Sequence, residues 1–183
     1  MRQALKTACQ PYHDDIEGVM YSKNIQENKL SKDQLLHLLK INYYYFLEVE
    51  SLLKNSDYSS SFSIDKTGIL RRDIKAMGKT VGENSPIELG LASLSKEDVL
   101  GSLYVSIGSS LGGQMIYKKL KDEHPHLSDA SFEFYESAKD TIKLWKKFLN
   151  TLEESKHMLN EDKLIDAAQK NFKYFKTLHE CTQ

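Results

Sequence analysis

The sequence predicts an all-α fold, a compact multi-helical bundle of six to eight helices, on three observations. Apolar residues recur at helical spacing in nearly every segment between turn signals. Only three prolines occur in 183 residues. No stretch shows the strict apolar–polar alternation of a half-buried strand. At this length, and with no linker or internal repeat, residues 1–183 read as one domain with enough chain to bury a substantial core.

Taken in order, the first helix is expected from about Gln10 to Met20, with Pro11 in its first turn, where a missing N–H costs little; Leu5 reads as part of a preceding turn. The second runs from Ser31 to Lys54. Ser31 and Gln34 form a capping box, and Leu35, Leu38, Leu39, Tyr43, Phe46, Val49 and Leu53 form its apolar stripe. Asn55 to Ser63 is a serine-rich loop. A weaker helix spans Ile64 to Met77, and Gly78 to Gly90 is a second loop. Ser95 and Asp98 cap a long helix from Lys96 to Leu120, with Leu100, Leu103, Ile107, Leu111, Met115 and Leu120 facing inward. His124-Pro125-His126 ends it. A helix from Ser128 to about Glu154 carries Phe132, Tyr135, Ala138, Ile142, Trp145, Leu149 and Leu152. Asn160 caps the last, with Leu164, Ala167, Ala168, Phe172, Phe175 and Leu178 on its apolar face.

Bulk composition excludes several functions. Lys plus Arg number 25 against 26 Asp plus Glu, a net charge of −1, so no basic excess points to nucleic acid. No apolar run approaches the roughly 18 residues of a membrane span. Met1-Arg2-Gln3-Ala4-Leu5-Lys6 lacks the apolar core of a secretory signal, and a cytoplasmic location is expected. Cys9 and Cys181 have neither zinc nor redox spacing. Cys181 stands one residue too late for a prenylation box.

The oddest local feature is glycine inside a helix. Gly101, Gly108, Gly112 and Gly113 interrupt one periodic segment, each at a cost of about 1 kcal/mol against alanine. Gly101, Gly108 and Gly112 share a face by their spacing. Such a face admits another body close to the backbone, either a packed helix or a flat ligand, and paired glycines also let a helix bend. His13, on a short helix with Ile16 and Met20, is a lone histidine, a type most often at the surface or satisfied in the core. His37, His124, His126, His157 and His179 have no stronger pattern. A di-iron site is disfavoured: Glu123-His124-Pro125-His126 places a proline where the helix must continue, and Glu154-Ser155-Lys156-His157 lies near a helix end. No nucleophile elbow or zinc-protease motif occurs, and Gly78-Lys79-Thr80 lacks the upstream glycine of a P-loop. Lys139, Lys143, Lys146 and Lys147 lie at helical spacing, a solvated face or a holder of carboxylates.

Two segments together resemble the haem oxygenases. The first is Leu5-Lys6-x-x-Cys9-x-x-x-His13-x-x-x-Glu17, similar to the family's first helix, where the histidine ligates haem iron and the basic residue meets a propionate. The second is Leu103-Tyr104-Val105-Ser106-Ile107-Gly108-Ser109-Ser110-Leu111-Gly112-Gly113-Gln114. It looks like the glycine-rich distal helix, in the form of the bacterial biliverdin-producing branch. Ala167-Ala168-x-x-x-Phe172 is a weaker third match. Cys9 stands where threonine is usual, Pro11 is a further departure, Ile107 replaces a frequent glutamate, and Ser109 replaces a distal aspartate that holds water. Leu103 stands where some members have a propionate-binding tyrosine, so that contact is either lost or moved to Tyr104.

The resemblance implies an oxidoreductase that opens haem to biliverdin, CO and ferrous iron, with haem as both substrate and cofactor. It implies His13 as the axial iron ligand, and Lys6, Glu17, Tyr104, Lys143, Lys146 and Phe172 as further haem-binding residues. Gly108, Ser109, Gly112 and Gly113 would form the distal, catalytic side. A separate electron donor (reductase, ferredoxin or flavodoxin) and O₂ are the implied partners, with no nucleic acid and no membrane. Two rival readings keep a helical fold: a haem-binding or interaction protein without catalysis, and a thiaminase-like enzyme, for which neither cysteine has an evident partner pattern.

Overall fold

The computed structural model describes residues 1–90 and 95–182. Among these there is no strand, and nine α-helices form: α1 Arg2–Val19, α2 Ser22–Gln26, α3 Lys32–Lys54, α4 Thr67–Ala76, α5 Lys96–Ser110, α6 Gly113–Glu123, α7 Glu133–Glu136, α8 Thr141–Ser155 and α9 Glu161–Cys181. Short 3₁₀ turns at Pro125–Leu127, Ser137–Asp140 and Lys156–Met158 join the later helices. The all-α expectation holds.

Local chemistry sets the helix starts. Ser31 accepts from the Gln34 N–H while Gln34 returns a bond to the Ser31 N–H; Ser95 and Asp98 do the same for α5. The Asn160 side chain accepts from the Lys163 N–H and starts α9. Each box satisfies N–H groups that have no partner within the helix.

Helix α9 is the central post. It packs on α1, α3 and α5, and buries Leu164, Ala167, Ala168, Asn171, Phe172, Tyr174, Phe175 and Leu178. Helix α3 contributes Leu35, Leu39, Ile41, Tyr43, Tyr45 and Phe46 to the same continuous core. Asn171, fully buried, ties three elements together: Tyr45 donates to its side-chain oxygen at 3.0 Å, and its nitrogen donates to Ser102 Oγ at 3.0 Å and to the Ala167 carbonyl at 2.9 Å.

Four expectations are corrected. Helix α1 begins at Arg2 and runs through Pro11. Thr7 and Pro11 are both exposed, so the carbonyl that loses its N–H donor is left to water rather than to the core. Opposite them Leu5 and Cys9 are buried, which keeps the helix docked. The fourth helix begins at Thr67, not Ile64, because Glu50 receives the Lys66 and Thr67 N–H groups and fixes the start there.

The long glycine-rich helix breaks at Leu111-Gly112 into α5 and α6. Ser109 and Ser110 both turn their hydroxyls back to the Ser106 carbonyl, at 3.2 and 2.8 Å, and the Leu111 N–H bonds to Gly108 in a tighter turn at 3.1 Å. Serine back-bonding beside a glycine pair bends a helix. The change of direction takes Leu111 and Met115 off the buried stripe, leaving them 40% and 75% exposed. The helix expected from Ser128 to Glu154 is likewise split into α7, a 3₁₀ turn and α8. Asp73 on α4 accepts the Glu133 and Phe134 N–H groups and so starts α7 separately; Ile142 then lies outside the core, 56% exposed.

Candidate functional site

Helix α1 presents Lys6, Cys9, His13 and Glu17. Lys6 and Glu17 are exposed. His13 is half exposed, and its Nδ1 lies 3.9 Å from Asp14 and 3.7 Å from Glu17. These separations place carboxylates behind Nδ1 without a hydrogen bond. Its ring meets the edge of Phe172, buried on α9, at 6.3 Å between centroids and 72° between planes.

Tyr104 on α5 is partly buried and lies within electrostatic reach of Cys9 and Arg2 on α1. Burial raises the Tyr104 hydroxyl above its usual range; the nearby Cys9 thiol raises it further, and Arg2 lowers it. Cys9 itself is pushed up to about 11 by burial, so it stays a neutral thiol, a poor nucleophile and ligand. His13 lies one turn beyond Cys9 on α1, and Gly108 one turn beyond Tyr104 on α5. Each pair shares a helix face, and α9 packs on both helices.

The glycines divide into two kinds. A β-carbon on Gly101 would lie 2.7 Å from Ala167 Cβ and 2.8 Å from the Ala168 backbone nitrogen, and one on Gly113 would lie 2.7 Å from Ala138 Cβ. These two exist for close helix packing, so Gly113, expected on the distal side, belongs to the α6 packing contact. At Gly108 the nearest atoms are Trp145 Cζ3 and Cη2, at 3.6 and 3.8 Å, and at Gly112 only the Ser109 carbonyl comes near, at 3.9 Å. The shared face predicted for Gly101, Gly108 and Gly112 is therefore filled by α9 at one end and open or ring-covered at the other.

The lysines also divide. Trp145 on α8 faces Gly108, whereas Lys143 lines a cleft of about 290 Å³ with Phe46, Ser106, Ser110 and Thr141. Ser106 and Ser110 lie on the side of α5 away from Gly108 and Gly112 by helical spacing. Lys143, expected as a substitute for Lys146, lines this cleft, whereas the side chain nearest Gly108 is Trp145. Lys146 is exposed, one residue from Trp145.

Two residues of this neighbourhood were not singled out from the sequence as functional. Trp145 was read only as part of an apolar stripe; nothing in one sequence tells which glycine an indole will cover. Asn171 carried a visible signal, a polar residue four positions from both Ala167 and Phe175 on the apolar face of α9. The histidines outside α1 are not drawn into this site. Among the described residues no three His, Cys, Asp or Glu side chains converge as a metal cage, and no helix is long and apolar enough to cross a membrane.

The donor set suits an iron porphyrin. The imidazole has its Nδ1 side toward carboxylates, an arrangement that orients a ligating histidine, while among the described residues its Nε2 makes no hydrogen bond. The edge of Phe172 flanks it. No match was found to a curated protein or to a solved structure. The family model described as Heme oxygenase matches residues 1–180, and the chain belongs to the haem oxygenase family.

Proposed function

We propose that this chain is a biliverdin-producing haem oxygenase of the bacterial type, working in the cytoplasm with O₂ and an external reductase, ferredoxin or flavodoxin. The observation that carries the reading is the pairing of a half-exposed His13, backed by Glu17 and Phe172, with a helix whose Gly108 and Gly112 lack close backbone neighbours. Bound haem supplies the redox-active iron and is itself the bond-breaking substrate.

The chain's own residues have the following parts. His13 offers Nε2 to the iron, and Glu17 with Asp14 orients the ring through its Nδ1 side. Phe172 meets the ring edge-to-face and excludes water from that side. Lys6 and Lys146, both exposed, reach for the two propionates, where a solvated ammonium meets a carboxylate. Tyr104 takes the inner rim. Gly108 and Gly112 leave room for a small ligand and expose backbone carbonyls at the α5–α6 bend. Ser109 spends its proton on the Ser106 carbonyl and offers water only lone pairs, so it cannot supply the charge of a carboxylate.

A second reading is a haem-binding protein without turnover. It is favoured by the indole over Gly108 and by Ser109 in place of aspartate. Hemin titration followed by ascorbate or a reductase in air separates the two. Turnover predicts loss of the Soret band, growth of biliverdin absorption and release of CO. Bound haem that cycles between oxidation states without ring opening, whichever donor is used, leaves the second reading standing.

A further inference from the structure

Helix α6 ends on a histidine that is buried with one ring nitrogen unpartnered. Pro125 disfavours helical backbone at the residue before it, and His124 accordingly leaves α6 at φ −121° and ψ 65°. Its ring, 1% exposed, turns Nδ1 to the Lys119 carbonyl at 3.2 Å. A carbonyl only accepts, so Nδ1 carries the hydrogen, and in the neutral ring Nε2 is a bare lone pair. That atom is buried and has no hydrogen-bond partner among the described residues, an arrangement that folded chains rarely leave unanswered. The ring is held in place. His126 lies against it at 5.6 Å between centroids, and is itself fixed by Nε2 on the Leu30 carbonyl at 2.7 Å.

His124 lines a cleft of about 520 Å³ between α6 and the segment leading into α7, a size suited to a small organic molecule. Because Nδ1 is engaged on α6, the polar atom that His124 has left for the cleft is Nε2. Leu120, Tyr117 and Phe132 supply apolar walls. Beside them Ser131 donates its proton to Asp73, a fully buried carboxylate on α4, and so has only lone pairs left to offer. The charges at the cleft cancel. Glu133 is held by Arg72. Lys121, its ammonium 5.6 Å from the centre of the Tyr117 ring, and Glu136 are both exposed and opposite in sign. A charged ligand would find no excess of counter-charge here and would lose its hydration. No residue of this lining belongs to the site on α1 and α5.

We propose that this cleft is a second binding site, for a neutral, flat apolar molecule whose O–H or N–H donates to His124 Nε2, of the class of a phenol or an indole. The hydrogen bond answers the buried acceptor and fixes the orientation of the ligand. Tyr117 and Phe132 take its ring, and burial of that ring supplies the affinity. The site goes beyond the haem reading and does not depend on it.

Protein labelled with ¹⁵N-histidine reports on the ring directly, through the His124 Nε2 resonance. The probes 4-methylphenol and toluene share a ring and a methyl group and differ in the hydroxyl. Titration with 4-methylphenol is expected to move this resonance saturably, and indole to do the same, whereas toluene leaves it in place. His124→Phe keeps a flat ring and removes the lone pair, and should weaken 4-methylphenol binding about fivefold or more, read by calorimetry. The nitrogen measurement is made on the parent protein and decides alone if the variant does not fold. An Nε2 resonance that no probe moves, as a bound water alone would leave it, overturns the proposal. So do equal responses to 4-methylphenol and toluene, or a folded His124→Phe that binds 4-methylphenol as the parent does. A saturable response to zinc ions with none to 4-methylphenol marks a metal ligand and overturns it as well.

Discussion

Gly101 sits against Ala167 so closely that an added methyl would fall 2.7 Å from its Cβ and 2.8 Å from the next backbone nitrogen, whereas the same methyl on Gly108 would touch only the tip of Trp145 at 3.6 Å. One glycine-rich helix thus serves two purposes, and substitution separates them.

Gly101→Ala is expected to destabilise the ligand-free protein, because the obstacle includes α9 backbone that cannot rotate away. Overpacking of this kind costs about 1–3 kcal/mol. Gly113→Ala meets Ala138 Cβ and should behave in the same direction. Thermal or urea melts check both, and an unchanged midpoint for Gly101→Ala would contradict the packing assignment.

Gly108→Ala and Gly112→Ala are expected to preserve or raise the melting temperature of the ligand-free protein. Neither methyl clashes; Gly108, inside α5, gains up to about 1 kcal/mol of helix propensity, whereas Gly112, at the N-cap of α6, has no such gain. Haem turnover should fall, since the methyl occupies space reserved for the ligand. Melts of the ligand-free variants beside single-turnover assays decide it: a large fall in stability with turnover unchanged would return both glycines to the packing account.

His13→Ala should abolish the histidine-ligated Soret signature while helix content stays the same. The side chain is half exposed and makes no hydrogen bond among the described residues, so its removal costs the core nothing. Far-ultraviolet circular dichroism and hemin difference spectra test the two halves. A Soret band identical to the parent's would place the iron ligand elsewhere, with His37 examined next.

Acid should weaken the junction of α3 and the end of α9. His37 is bonded by Tyr21 at Nδ1, 2.8 Å, and to Thr182 Oγ1 at Nε2, 3.1 Å. Burial, then the neighbouring His179, lowers its pKa, with Lys40 adding in the same direction; burial also lowers that of His179, opposed by Glu180. Both are therefore neutral in the folded chain where the unfolded chain is already protonated. Their stabilisation is complete above the unfolded value of about 6.5 and declines as pH falls from there through the lower folded values. His179→Phe keeps the ring contacts, removes a buried Nε2 that has no hydrogen-bond partner among the described residues, and should flatten the fall in melting temperature between pH 7 and pH 5. An equal slope in parent and variant would assign the acid sensitivity to other groups.

The sequence by itself determined the all-α class, the three capped helix starts and the stripes of α3 and α9. These depend on 3.6-residue periodicity and on side chains bonding to backbone three residues away, both local. It also displayed His13 and the glycine segment at spacings that resemble the haem oxygenase family, because a ligand held between two helices constrains each within a few turns. Only the tertiary structure decided where the glycine helix breaks, which of its glycines are packed and which are open, and that Lys143 lines a cleft with Ser106 and Ser110. Helical periodicity assigns a residue to a face but does not say what that face meets. Gly101 and Gly108 lie on one face; α9 fills it at the first, and the indole of Trp145, from another helix, covers it at the second.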